Sequence, residues 1–230
     1  MTNLEKQKVG FLLIDKPKGI TSHDVVDYLR EKIGLKKIGH AGTLDPIATG
    51  LLIVGIGREA TRQLSFFLKM DKEYIGEIKL GGISDTYDRE GKIKKKKIIE
   101  IPSRERVEKI VRGFVGKIKQ TPPIFSAKKF KGKKLYTLAR KGEKIKPAQV
   151  LVEIYNISIL DYNWPSLRIK VKCSSGTYIR SLAHDIGKKL GTGGYLEKLC
   201  RTKIGRFKLE NAKKLNEITS RNWQKFLFSL

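Results

Sequence analysis

The residues of this chain that could carry chemistry begin with a polar loop in the stretch IGHAGTLDPIATGLLIVGIG, residues 38–57. His40, Thr43 and Asp45 stand close together there, directly before an apolar run. Pro46 disfavours helical backbone at Asp45, so the carboxylate sits on a stiff, extended corner. A carboxylate held in this way could be presented where chemistry can reach it. Aspartate is also a common turn former, and the loop alone leaves both interpretations open.

A second group of functional side chains stands at the start of a predicted helix, in CSSGTYIRSLAHDIG, residues 173–187. The apolar residues of this segment are spaced for one helix face, with Tyr178 and Arg180 on the flanks of its first turn. A guanidinium there could hold a carboxylate such as Asp45 ionised and oriented, because it stays charged and presents paired donors. A surface ion pair with some other acid is the alternative.

Tyr74 is a third candidate, in the stretch DKEYIGEIKL, residues 71–80. It stands among charged residues at the start of a segment that alternates in period two, as a half-exposed strand does. An aromatic face at such a place could stack on a nucleobase, a contact worth about 1–3 kcal/mol in other systems. The alternative is a tyrosine that only covers a sheet edge.

The elements that must position these residues are mostly strands. Helices are predicted at 21–34, where Thr21 and Asp24 form a capping pair and Gly34 is the terminator, at 103–114 and at 177–191. The stretch GGISDTYDREGKI, residues 81–93, is interpreted as turns without regular structure. Strands are predicted at 10–14, 51–56, 73–80, 150–160, 167–175 and 201–209. Because strands outnumber helices and rarely alternate with them, we expect an α+β fold with a mixed, mainly antiparallel sheet and flanking helices.

Composition points to a polyanionic partner. Among 230 residues, 49 Lys and Arg face 23 Asp and Glu, a formal net charge of +26. Residues 117–148 contain eleven Lys or Arg, the single acid Glu143 and several aromatic residues, which predicts a basic arm lying over that partner. The shorter run KIKKKK, residues 92–97, is interpreted as a solvated, charged sheet edge.

No metal and no membrane are predicted. Cys173 and Cys200 lack the spacing of a zinc site, and only His23, His40 and His184 accompany them. No 18-residue apolar run is present, and the apolar stretch near the N-terminus is too short for the core of a signal peptide. We therefore expect free thiols, no metal, and a cytoplasmic protein.

Five segments of the chain together resemble the TruB family of tRNA pseudouridine synthases. They occur in the same order and at a similar spacing as in the family, across about residues 10–209. The five are DKPKGITSHDVV, GHAGTLDPIATGLL, KEYIGEIKLGGISDTYDREG, QTPPIFSAKKFKGKKLYTLARKG and CSSGTYIRSLAHDIGKKLGTGGYLEKLCRTKIGRF. The resemblance implies the pseudouridine synthase fold and the isomerisation of uridine 55, in the TΨC loop of tRNA, to pseudouridine. It also implies that no cofactor and no metal are needed.

The resemblance assigns roles to individual residues. It makes Asp45 the nucleophilic aspartate and His40 the residue that occupies the gap left by the flipped base. Tyr74 matches the tyrosine that stacks on the flipped uracil, and Arg180 matches the arginine that pairs with the aspartate. Tyr178 and Leu199 match other positions of the pocket. Lys16 and Pro17 match a motif that supports the active-site loop.

The resemblance also implies an organisation for the whole chain. We expect a single catalytic domain over residues 1–230, with an RNA-gripping arm at 117–148 and no C-terminal PUA domain. The chain departs from the family at Gln149, where an arginine is usual. The expected partner is the T-arm stem-loop of tRNA, bound by a monomer. Whether Asp45 attacks C6 of the base or C1′ of the ribose stays open, and the rival function is a non-catalytic RNA-binding protein or RNA chaperone.

Overall fold

The computed structural model of the chain describes residues 9–125, 129–130, 133–134 and 147–230. Most of the predicted basic arm lies outside the described residues, so the arm stays a prediction. Within the described part, residues 117–120 form a strand of the main sheet, in which Lys117 and Lys119 are exposed and Gln120 is buried.

Three helices occur where the sequence predicts them. The capping box of α1 is present: Thr21 Oγ1 accepts from the Asp24 amide at 3.1 Å, and Asp24 Oδ2 accepts from the Thr21 amide at 2.7 Å. Gly34 ends this helix in the left-handed conformation, as predicted. The second helix was not predicted from the sequence. The helices of the described residues are α1 (Ser22–Ile33), α2 (Arg58–Lys69), α3 (Arg104–Arg112) and α4 (Ile179–Leu190).

The strands confirm the α+β class, because most strand pairs among the described residues are antiparallel, whereas Lys213–Lys214 runs parallel to Gly10–Lys16. The strands are β1 (Gly10–Lys16), β2 (Ile38–Ala41), β3 (Ala48–Ile56), β4 (Lys72–Leu80), β5 (Gly82–Ser84), β6 (Ile93–Lys95), β7 (Gly116–Gln120), β8 (Lys129–Phe130), β9 (Lys133–Lys134), β10 (Val150–Asn163), β11 (Ser166–Cys173), β12 (Gly194–Ile204), β13 (Phe207–Lys208) and β14 (Lys213–Lys214).

The chain divides into two compact units. The first comprises Met1–Tyr74 and Cys200–Leu230, and the second comprises Ile75–Leu199. The boundary falls within β4 and β12. We describe each unit by itself.

The first unit contains the strand order β14-β1-β3-β12, with β2 paired to β3 and β13 to β12. Its core lies on both faces of β1 and β3. Leu52 and Val54 pack with α1, whereas Leu51 and Ile53 pack with α2 on the opposite face. Burial on both faces explains why residues 51–56 form one continuous apolar run rather than an alternating one.

The second unit contains the order β12-β4-β11-β10-β7. Helix α3 packs on β10 and on α4, and its buried face includes Val107 and Val111. The interpretation of residues 81–93 as turns alone is wrong at both ends, because β5 and β6 pair there as a short antiparallel hairpin. All three residues of β6 are exposed, which agrees with the predicted solvated edge. No helix of the described residues is long and apolar enough to cross a membrane.

Candidate active site

The loop that carries Asp45 joins β2 to β3 in the first unit. Its neighbours Leu44 and Ile47 are each only 3% exposed, so the loop is fixed by buried side chains on both sides of the half-buried aspartate. The amide of Leu44 donates to Ser22 Oγ at 2.8 Å, and the Ala48 amide donates to the Asp45 carbonyl at 3.0 Å. The backbone that carries the Asp45 carboxylate is therefore fixed on both sides.

Lys16 supports the turn that adjoins this loop. The ammonium is completely buried and donates to the carbonyl oxygens of Pro17 at 2.8 Å and Ile20 at 2.7 Å. This turn contacts the loop that carries Asp45, because the Gly19 amide donates to the Pro46 carbonyl at 2.8 Å. Lys16 therefore lies next to the loop that carries Asp45, and its role in supporting an active site stays a prediction.

His40 lies on β2, next to the loop, opposite Val54 of β3. Burial lowers the pKa of its imidazole, and the nearby charge of Arg201 lowers it further. Its Nδ1 is buried without a hydrogen-bond partner among the described residues. The residue therefore carries a neutral imidazole at neutral pH, which suits a side chain that enters the space of a stacked base.

Arg201 of β12 is a contact of the loop that the sequence did not reveal. Its side chain is 1% exposed, and its guanidinium donates from Nε to the Leu51 carbonyl at 2.8 Å and from Nη2 to the Gly42 carbonyl at 3.0 Å. The two carbonyls stand on either side of Asp45 in the chain. The sequence predicts a closing strand at RTKIGRFKL, residues 201–209, and does not indicate a role for Arg201.

Tyr74 lies on β4 and is half-buried. Its neighbour Glu73 is held in place by Thr202, whose hydroxyl donates to the Glu73 carboxylate at 2.9 Å. In the second unit, a Cβ at Gly76 would be in ordinary contact with Leu196, Ile179 and Leu199 at 3.5–3.8 Å, so Gly76 lies beside the predicted pocket position Leu199.

Arg180 lies in the first turn of α4 and is buried. Its Nη1 pairs with Asp88 Oδ2 at 3.1 Å and also donates to the Thr86 carbonyl at 3.3 Å. Nη2 donates to the Phe125 carbonyl at 2.9 Å. The arginine therefore binds the loop after β5, and Asp88 is a partner that the sequence did not reveal.

The loop that presents Asp88 is tightly built. Asp88 Oδ1 accepts from the Thr86 hydroxyl at 2.6 Å and from the Glu90 amide at 3.0 Å. Tyr87 adopts a φ of +64°, which is unfavourable for a bulky residue, and its ring stacks on His184 with centroids 4.1 Å apart. Backbone strain of this kind persists only where its surroundings enforce it, and it concentrates at functional sites.

Tyr178 stands immediately before α4 and is held by its backbone. Gln120, a completely buried residue of β7, accepts from the Tyr178 amide at 2.9 Å and donates to the Tyr178 carbonyl at 3.2 Å. Ser181 Oγ donates to the Thr121 carbonyl at 2.7 Å. The end of β7 thus clamps the first turn of α4, which is the turn that presents Arg180.

The described residues contain no group of three or more His, Cys, Asp or Glu side chains that could hold a metal ion. Neither cysteine forms a disulfide: Cys173 lies in the core, and Cys200 is half-buried beside β3. Burial raises the pKa of the Cys200 thiol, so this sulfur is protonated at neutral pH.

Comparison with known proteins decides the family. Residues 30–179 match the TruB family pseudouridylate synthase N-terminal domain, and residues 180–226 match the tRNA pseudouridylate synthase B C-terminal domain. The tRNA pseudouridine synthase B of Protochlamydia amoebophila (strain UWE25) is 51% identical over 202 residues, which cover 88% of this chain and 76% of that protein. The chain belongs to the TruB family.

A second relative and a solved structure are also similar to this chain. The tRNA pseudouridine synthase B of Aquifex aeolicus (strain VF5) is 47% identical over 213 residues, covering 92% of this chain and 74% of that protein. A crystal structure of a Cbf5–Nop10–Gar1 complex superposes with a TM-score of 0.70 at 31% identity, over 90% of this chain. This chain spans about half of that solved chain, 52% of its length.

The structure places the predicted TruB site residues in both units. Lys16, His40, Asp45 and Tyr74 belong to the first unit, and Tyr178, Arg180 and Leu199 belong to the second. In the first unit the Lys16 turn, His40 and the Asp45 loop are brought together. In the second unit Tyr178 and Arg180 share one helix turn. The pairing of Arg180 with Asp45 stays a prediction.

Proposed function

We propose that this chain converts uridine 55 of tRNA to pseudouridine, as a TruB pseudouridine synthase without a cofactor. The observation that carries the proposal is the Asp45 loop, which lies within the matched family domain and is braced by buried contacts at Leu44, Ile47 and Pro46. A turn former needs no such frame. A nucleophile does, because an error of about 1 Å in its position costs about a hundredfold in rate.

The chemistry is an isomerisation in which no atom of the base is lost apart from an exchanged proton. The bond from C1′ to N1 of the uracil breaks, the base turns, and a bond from C1′ to C5 forms. The proton on C5 leaves and N1 gains one. Asp45 forms the covalent adduct that allows this exchange, either at C6 of the base or at C1′ of the ribose.

The target base must first leave the folded loop of the tRNA, which costs a few kcal/mol. We propose that Tyr74 offsets this cost by stacking on the flipped uracil and that the neutral ring of His40 occupies the vacated position. Tyr178 and Leu199 line the pocket, and Arg180 holds Asp45 ionised. Lys16 keeps the loop in place through the Gly19 to Pro46 hydrogen bond.

The partner is the T-arm stem-loop of tRNA, bound by a monomer in the cytoplasm. The formal charge of +26 supports this proposal, because phosphate neutralisation by Lys and Arg provides most non-specific affinity for nucleic acid. The rival function, a non-catalytic RNA-binding protein or chaperone, accounts for the charge equally well. It leaves the fixed backbone of the Asp45 loop unexplained.

Release of tritium from tRNA labelled at C5 of uridine separates the two functions. Purified protein is incubated with unmodified transcript and no added cofactor, and release is followed over time. One equivalent of tritium per tRNA is expected, since only one uridine reacts. The matched control is the same tRNA with cytidine at position 55, which should bind and release nothing. Binding of both RNAs without release from either would establish the chaperone instead.

A further inference from the structure

The first unit buries a guanidinium that has no carboxylate partner among the described residues. Arg201 is 1% exposed, and its hydrogen bonds are to the carbonyl oxygens of Leu51 and Gly42. Lys16 and Lys72, which are also buried in this unit, donate to carbonyl oxygens too. Those of Lys16 belong to the turn that follows it, and those of Lys72 belong to the end of the preceding helix. Arg201 binds carbonyls that lie 159 and 150 residues away in the chain.

The two carbonyls enclose the Asp45 loop. Gly42 is the first residue after β2, and Leu51 lies in β3, beyond the loop. A planar guanidinium with fixed donors can span two acceptors in one geometry, and an ammonium cannot reproduce that fork. Arg201 therefore ties the entrance and the exit of the loop to one rigid group.

The packing around Arg201 is adapted to this contact. Gly42 has a φ of +87°, and a Cβ there would lie 3.4 Å from Arg201 Nη1. Gly50 has a φ of +100°, and a Cβ there would collide with the backbone of Arg201. Glycine at both positions lets the loop ends approach the arginine closely, in a conformation that other residues rarely adopt.

We infer that Arg201 is a positioning residue for the isomerisation, which acts by fixing the loop that carries Asp45. The inference rests on the proposed function and adds to it a residue that does not touch the substrate. Its effect falls on the chemical step, because the loop places the nucleophile, whereas tRNA affinity is spread over many phosphate contacts. Arg201 also affects a second residue of the site, because its nearby charge lowers the pKa of the His40 imidazole.

The test is single-turnover kinetics on unmodified tRNA with the variant Arg201→Lys. We expect the rate of the chemical step to fall about a hundredfold, with the Kd for tRNA changed by no more than a few-fold. The matched control is Arg30→Met, which removes a guanidinium that also donates to a carbonyl of the same unit, that of Ile38 at 3.1 Å. This variant should lower the Tm and leave the rate of the folded enzyme unchanged.

The single variant Gly42→Ala keeps the inference testable where Arg201→Lys is poorly folded, because its own loss of rate can be measured, and where all variants fold a double-mutant cycle is measured as well. Gly42→Ala disturbs the same contact from the loop and leaves the buried charge in place. If Arg201 acts through Gly42, the rate losses of the two variants will not multiply in the double variant. Multiplicative losses, or an unimpaired Arg201→Lys, would overturn the positioning role. An inactive wild-type enzyme would instead overturn the proposed function.

Discussion

Arg180 and Asp88 form a buried ion pair, with Nη1 and Oδ2 3.1 Å apart and side chains only 8% and 5% exposed. The pair joins the first turn of α4 to the loop after β5. A buried pair that loses one partner leaves an uncompensated charge, at a cost of about 3–5 kcal/mol. We therefore expect Asp88→Asn to lower the free energy of unfolding by several kcal/mol, as measured by urea denaturation.

The control for this prediction is Glu108→Gln. Glu108 pairs with Arg104 at 3.1 Å, but the two side chains are 33% and 58% exposed. Exposed pairs of this kind contribute about 0–1 kcal/mol. Equal losses of stability in the two variants would show that the Arg180–Asp88 pair has no special role in the fold.

Arg180→Lys tests whether the planar, paired donors of the Arg180 guanidinium are needed. Lysine keeps the charge but cannot bind Asp88 and the Phe125 carbonyl in one plane, as Arg180 does. Loss of one charge-assisted hydrogen bond of about 1.5–3 kcal/mol should lower kcat roughly 10- to 100-fold. Tritium release on saturating tRNA measures it, and unchanged kinetics would mean that Arg180 does not orient the nucleophile.

Asp45→Asn should abolish turnover and leave tRNA affinity within a few-fold of the wild type. The amide has nearly the shape of the carboxylate but cannot form the covalent adduct, whereas binding depends on many phosphate contacts. Filter binding and tritium release on one protein preparation give both quantities. Substantial residual activity would remove Asp45 from the mechanism.

Gln120→Glu should disturb the first turn of α4. The carboxylate still accepts from the Tyr178 amide but can no longer donate to the Tyr178 carbonyl, 3.2 Å away. It also places a charge at a completely buried position. An unsatisfied buried carbonyl costs about 1–3 kcal/mol, so both the Tm and kcat should decrease. A variant with wild-type kcat would show that the clamp serves stability alone.

Stability should decrease as the pH falls through the range in which unfolded histidine is protonated. Burial lowers the pKa of His40 and of His184 below their ordinary value of 6.5. Between the folded and the unfolded pKa the unfolded state binds more protons, so acid favours unfolding. We expect the Tm to fall between about pH 7.5 and 5.5 and to fall less in the double variant His40→Gln, His184→Gln. An identical pH dependence in the two proteins would contradict this account.

Neutralising the arm lysines Lys128, Lys129, Lys131, Lys133 and Lys134 should weaken tRNA binding and flatten its salt dependence. Each lost phosphate contact removes up to about one unit from the slope of log affinity against log salt. Substitution of five exposed lysines outside the arm, Lys92, Lys94, Lys95, Lys96 and Lys97, is a control for the same change in net charge. A slope that responds equally to both sets would mean that the arm is an ordinary solvated surface.

The local features of the fold and the family were predictable from the sequence. The capping box at Thr21, the left-handed Gly34 and the buried faces of α3 and α4 depend on residues within one or two turns of each other. Such spacing is written directly in the chain. The family motifs are short and collinear, so they identify the TruB family without any knowledge of the fold. Helix α2 was not predicted, because its N-cap residue, Gly57, provides no capping side chain that would signal a helix start.

The contacts that position the site were decided by the tertiary structure. Asp88 binds Arg180 across 92 residues, Gln120 binds Tyr178 across 58, and Arg201 binds Gly42 across 159. From the sequence alone, Asp88 lies in a segment predicted to form turns, Gln120 lies at the edge of the basic arm, and Arg201 lies in a closing strand. A buried polar group takes whichever partner the fold brings within about 3 Å, because leaving it unpaired costs more than any local preference. That partner depends on strand order and register, which no spacing along the chain encodes.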